Sequence, residues 1–250
     1  MGPNINVGPN NNEQKCKPLW NLQQSATYQT TATRIYNFMN EETGEMQNYQ
    51  KLLKRDSTRA TWSLGMCKEM GRLSQGFKGL VEGTNTVFFM DRQQIREIPK
   101  DKTVTYARII VNYRPQKADP HRVRVNVGGN LFNVTGDIST RTAELTTSKI
   151  LWNSVLLTKD ARYACIDINN MYLQTLLKVY EYMQIPRKLA PQAFIDEYGL
   201  ERKIHNEYLY CEIRKGIYGL PQAGKLANKI LKQSLATCGY MECMHTPGLC

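Results

Sequence analysis

The sequence predicts an α+β fold, an antiparallel sheet with helices packed on it. Three observations carry that expectation. Runs rich in β-branched and aromatic residues, such as Val104 to Tyr113 and Tyr208 to Ile213, have the composition and spacing of strands. Trp62, Met66, Met70 and Leu73, and later Leu226 and Ile230, recur at the spacing of one helical face. Strands and helices also follow one another without a repeated βαβ rhythm, which argues against a parallel doubly wound sheet.

Taken in order, the first forty residues differ from the rest. Gly2 to Asn12 is low-complexity, and between residues 19 and 39 many Thr and Gln interrupt any period, so residues 1–40 read as a disordered tail or linker. Ordered structure is expected from near Asp56, as one domain over residues 56–250. The Trp62 helix should end at Gly76. Val104 to Tyr113 and Arg122 to Val127 then make a hairpin, with Val123, Val125 and Val127 alternating against Arg122, Arg124 and Asn126, and Pro115 to Pro120 supplying the turn. Thr142 to Leu157 reads as a helix with Leu145, Trp152 and Leu156 near one face. Arg162 to Asp167, Val179 to Ile185 and Tyr208 to Ile213 read as strands, and Asp196 and Glu197 as the solvated side of a short helix. Pro221 suits a first helical position, Leu226 and Ile230 continue that helix with Ala227, Leu231 and Leu235 alongside, and Gly239 is its stop.

The chain of 250 residues, 41% hydrophobic, can bury a core. Its net charge of +11 favours phosphate backbones or other anionic surfaces. From Lys100 to Arg124 the basic residues Lys100, Lys102, Arg108, Arg114, Lys117, Arg122 and Arg124 face only Asp101 and Asp119, which gives the hairpin a basic face. A solvated sheet face is the plain alternative. Seven cysteines without a pairing pattern suit a reducing compartment. Cys238, Cys243, His245 and Cys250 are chemically fit for zinc, but one residue between Cys243 and His245 leaves little freedom for both to turn inward, and Cys238 falls on the apolar side of its helix. His121 and His205 read as surface histidines. No signal segment and no apolar run near the roughly 20 residues of a membrane helix appear, so a soluble intracellular protein is expected.

Two segments carry chemistry. In Tyr163 to Tyr172 a short apolar run delivers one carboxylate, Asp167, and five residues later an aromatic ring, Tyr172. A strand end can hold such a carboxylate rigidly beside a divalent ion, although a core strand ending at a solvated Asp has the same pattern. In Arg214 to Asn228 a Gly-punctuated turn opens a helix and places Gln222 at its N-terminus, where donors can face a nucleotide.

Together these segments resemble the reverse transcriptase of copia-type retrotransposons. Asp167 to Tyr172 matches the first palm motif and Leu220-Pro221-Gln222-Ala223-Gly224 the second; Trp62 to Gly76, Tyr106 to Lys117, Gly128-Gly129-Asn130 and Thr246 to Leu249 match further stretches, from about Glu41 onward. The resemblance implies polymerase fingers and a partial palm, cut off before a later hairpin with two adjacent aspartates. It implies an RNA-directed DNA polymerase that extends a primer on an RNA or DNA template, using deoxynucleoside triphosphates and two Mg²⁺ ions. Asp167 would be the catalytic metal ligand, Arg108 the triphosphate contact with Lys102 as a weaker one, Tyr172 the residue that excludes a 2′-hydroxyl, and Gln222 a positioner of nucleotide or template. Arg114, Lys117, Arg122 and Arg124 would hold nucleic acid. The remainder of the polyprotein would be a partner, no membrane would be involved, and the cytoplasmic virus-like particle, or the nucleus, would be the location.

The chain departs from the family in two ways. It contains no Asp-Asp pair, and Asn112 and Asn170 stand where the family more often has Asp. One Asp cannot hold two ions, so this chain alone is expected to be inactive. A non-catalytic nucleic-acid-binding remnant and a domesticated protein-binding scaffold remain the alternatives.

Overall fold

Trp62 and its helical companions build the longest helix of the computed structural model, which describes residues 38–39, 44–132, 136–140, 143–162, 168–244, 246 and 248. In chain order the described elements are β1 (Phe38–Met39), β2 (Met46–Gln47), α1 (Tyr49–Lys54), α2 (Asp56–Leu73), β3 (Gly76–Phe77), β4 (Val81–Glu82), β5 (Val87–Phe89), α3 (Arg92–Arg96), β6 (Val104–Tyr113) and β7 (His121–Val127). They continue with α4 (Leu145–Leu157), β8 (Leu176–Pro186), α5 (Gln192–Glu197), β9 (Ile204–His205), β10 (Tyr208–Lys215) and α6 (Ala223–Thr237). The mixture of sheet and helices makes the fold α+β. All of these elements lie within Tyr36–Cys250.

The main sheet runs β5-β10-β8-β6-β7, with β9 beside β10. It is mixed rather than purely antiparallel, which corrects the expectation from sequence. β6 divides its length between two partners: Val104 to Tyr106 pair parallel with β8, and Ala107 to Tyr113 pair antiparallel with β7. The β6–β7 hairpin therefore extends past the end of its pairing with β8. Parallel pairing needs a crossover, supplied here by the chain between β6 and β8.

The core forms where strand parity and helix period agree. Val123, Val125 and Val127 of β7 are buried, as are Met183 and Ile185 of β8 and Leu209, Cys211 and Ile213 of β10. α2 packs on β7, and its Trp62, Met66 and Met70 share one core cluster with Val123, Val125 and Val127. Burial pushes the Cys67 thiol up to about 11. A second aromatic cluster joins Phe77, Phe89, Phe194 and Tyr198, whose ring centroids lie 4.4 to 5.9 Å apart.

Several expectations from sequence need correcting. Structure begins before Asp56, because Tyr49 and Leu52 anchor α1 in the core after Asn48 caps it. α4 starts at Leu145 and buries none of its residues among the described contacts; its apolar side chains surround the helix instead of forming one stripe, and Leu156 and Leu157 are 83% and 87% exposed. Pro221 precedes α6 and Gln222 takes the N-cap position. Cys238 lies past the last turn, where helix parity no longer applies, and is exposed. His121, expected at the surface, is half-buried: its strand parity turns it toward α2, edge-on to Trp62 at 5.1 Å. The tail expected over residues 1–40 falls almost wholly outside the described residues, as do 163–167 of the expected Asp167 strand.

Candidate functional site

Cross-strand partners share a sheet face, so the register of the hairpin locates its basic side chains. Arg108 opposes Asn126, Ile110 opposes Arg124, and Asn112 opposes Arg122, which gives three arginines the strand parity opposite to Val123, Val125 and Val127. Arg114 follows at the end of β6, where its N–H donates to Pro120 O, and Lys117 is exposed in the turn. Arg108 lies over the Tyr106 ring at 5.1 Å and donates to Asn130 Oδ1 at 3.0 Å. Arg124 lies over the Tyr218 ring at 4.5 Å. Tyr218 O accepts from Val127 N, so Arg124 leans to the outer edge of β7, the one not paired with β6.

That edge borders a polar cavity of ≈360 Å³ between α2 and the hairpin, lined among others by Lys68, Glu69, Arg72, Arg114, Arg122 and Asn170. Lys68 is paired with Asp119 and Arg72 with Glu69. Among the described residues neither Arg114 nor Arg122 forms a salt bridge, and the Glu69 charge acts on Arg122 only as a minor influence. Burial, then the charges of Arg124 and Arg114, lower the pKa of Arg122. Arg114 Nε and Arg124 Nε are buried without a hydrogen-bond partner among the described residues. Crowded, partly desolvated guanidinium groups of this kind leave a strong preference for an anion.

The hairpin meets the Gly219-Leu220-Pro221-Gln222 turn by backbone contact. A Cβ on Gly129 would lie 2.1 Å from Gly219 O, and one on Gly219 would lie 2.3 Å from Val127 O. Gly219 has φ +89°, so both the turn and the approach require glycine there. Tyr172 sits under the same loop, its ring 5.6 Å from Tyr218. Arg124, Tyr218 and Tyr172 thus form one contact chain.

Lys102 and Gln222 come together elsewhere, on Glu181. Lys102 Nζ donates to Glu181 Oε1 at 3.0 Å and Gln222 Nε2 to the same oxygen at 3.4 Å. The Lys102 and Glu181 side chains are only 19% and 12% exposed, so this lysine is held in an ion pair instead of open solvent. Gln222 Oε1 is buried with no partner among the described residues. Asp167 lies outside those residues. Among them no three His, Cys, Asp or Glu side chains come together as a metal shell, so what is described does not fit a two-ion site.

Sequence reasoning missed Glu181 and Glu69. Each left a signal. Glu181 is the one acid of its strand, set between Tyr180 and Tyr182, and Glu69 lies seven residues after Trp62, on the buried face of α2. Tyr218 lies within the Arg214 to Asn228 segment, but nothing local in the sequence indicates that Arg124 stacks on it. Comparison with protein-family models, curated proteins and solved structures found no match to the chain.

Proposed function

We propose that this chain is the fingers and part of the palm of a copia-type RNA-directed DNA polymerase, and that its own property is a grip on nucleic-acid backbone through the β6–β7 hairpin. The gathering of Arg108, Arg114, Arg122 and Arg124 on one hairpin carries the proposal, and the repulsion of Arg122 by Arg124 and Arg114 is one that a phosphate would relieve. The contact of Gly129 with Gly219 adds support by joining the hairpin to the turn that holds Gln222. In this reading Arg108 meets the triphosphate with Lys102 behind it, Tyr172 guards the sugar, Gln222 positions the nucleotide, and Asp167 draws the Mg²⁺ of the intact enzyme. Template-primer, deoxynucleoside triphosphates and the rest of the polyprotein are its partners, in cytoplasmic particles or the nucleus. No helix among the described residues is long and apolar enough to cross a membrane.

A non-catalytic remnant is the second reading, favoured by the lack of a carboxylate cluster among the described residues. Both readings require the grip. Four phosphate contacts give a slope of log K against log salt near about −3 to −4 on duplex DNA, at roughly −0.9 per neutralised phosphate. Fluorescence anisotropy across a salt series measures it. Replacing Arg122 and Arg124 with Ser should flatten the slope by about one to two units without altering sequence preference, since backbone contacts carry no base information. A wild-type chain that fails to bind at low salt, or a slope indifferent to the double substitution, would overturn the proposal.

A further inference from the structure

The face of the main sheet opposite its core is aromatic rather than simply polar. On β10, Leu209, Cys211 and Ile213 point into the core, while Tyr208, Tyr210, Glu212 and Arg214 take the other side and stay partly accessible. Tyr210 opposes Gln184 on β8, and Gln184 opposes Tyr106 on β6, so one row crosses three strands and ends under the Arg108 guanidinium. At the other end of the face Arg214 lies 3.9 Å from the Phe88 ring centroid and 5.4 Å from that of Tyr180, which is 41% exposed. A sheet with one solvated face ordinarily turns short polar and charged side chains outward. Here it carries rings and arginines, although Tyr182, between Tyr180 and Gln184 on the same side of β8, is buried.

The geometry points to this face as a stacking surface for the unpaired bases of single-stranded nucleic acid. Three observations select that occupant. Tyr180 is exposed and Tyr208 and Tyr210 are half-buried, so part of each ring can be reached by a base, with Arg214 over one side of Tyr180 and His205 beside Tyr210. The same sheet face continues into β6 and β7, whose Arg108, Arg122 and Arg124 are complementary to the strand's phosphates. Glu212, an acid on the face, is neutralised by Arg214 at 2.6 Å. A duplex keeps its bases paired and cannot use the rings, whereas a single strand can engage rings and arginines together. Stacking reads the base and not the sugar, so RNA and DNA serve alike. The inference rests on the proposed backbone grip and adds strand preference to it.

The test compares a fluorescein-labelled single-stranded DNA of 20 nucleotides with the matching duplex, by anisotropy at one salt concentration. Tyr208→Ala/Tyr210→Ala should weaken single-strand binding by about tenfold to several hundredfold, as the loss of one or two stacked bases dictates, and leave duplex binding within about twofold. Tyr208→Trp/Tyr210→Trp should keep single-strand affinity, because indole stacks as well as phenol. Equal losses on both substrates, or none on the single strand, overturn the inference while the grip stands. A wild-type chain that binds neither form overturns the grip as well. Should the alanine variant fail to fold, photocross-linking of a 5-iodouracil strand to the wild type decides: adducts on peptides carrying Tyr180, Tyr208 or Tyr210 support the surface, and adducts confined to other peptides overturn it.

Discussion

Glu69 is a carboxylate at a position where the helix period calls for an apolar residue. It is 2% exposed, accepts from Val125 N at 3.3 Å and pairs with Arg72 at 2.7 Å, so it closes the edge of β7 against α2. Burial raises its pKa above the ordinary value; the charge of Arg72 and the Val125 N–H only partly offset this. An acid with a folded pKa above its unfolded one gives most stability below the unfolded value and loses it as pH rises through the folded one. Glu69→Gln removes that titration but keeps an acceptor for Val125. In urea denaturation, the stability of wild type minus that of Glu69→Gln should therefore fall as pH is raised from about 4.5. A difference that stays flat or rises would show that the carboxylate is not desolvated. Glu69→Leu should cost about 2–3 kcal/mol, below the usual figure for a broken buried pair because the Arg72 side chain is 34% exposed.

Between elements, the joint of hairpin and turn is made by glycines with no side chain to yield. An alanine at Gly129 or Gly219 would press a Cβ against a backbone carbonyl, and Gly219 would also strain at positive φ. Each substitution should cost more than about 2 kcal/mol in chemical denaturation. Gly79 is the control: its φ is also positive, but a Cβ there would meet nothing within 4 Å, so Gly79→Ala should cost only the backbone strain of about 1 kcal/mol. Equal costs at all three positions would mean that the close approach is not maintained. α4 shows the opposite case, an element none of whose described residues is buried.

For the whole molecule, the carboxylates decide what chemistry is within reach. Among the described residues Glu181 is tied to Lys102, Glu212 to Arg214 and Glu69 to Arg72, and none gathers with two others. Two-ion phosphoryl transfer needs several carboxylates to hold ions about 4 Å apart. Primer extension by this chain on a homopolymer template, with Mg²⁺ or Mn²⁺, should give no incorporation above background. Incorporation that disappears in Asp167→Ala would prove that another acid completes the site.

What the sequence determined by itself is whatever local period and charge settle. The β6–β7 hairpin, its basic face, α2 and β10 follow from alternation and helical spacing over short distances, and the α+β class follows from their order. Only the tertiary structure decided which strand pairs with which. That β6 lies parallel to β8, that Glu181 collects both Lys102 and Gln222, and that Arg124 stacks on Tyr218 are contacts between residues tens of positions apart. The same step turned the tyrosines of β10 and β8 and the arginine of β6 onto one face. The reason is physical: parity tells which residues of a strand share a side, but which strands adjoin depends on how all the apolar faces can be buried at once.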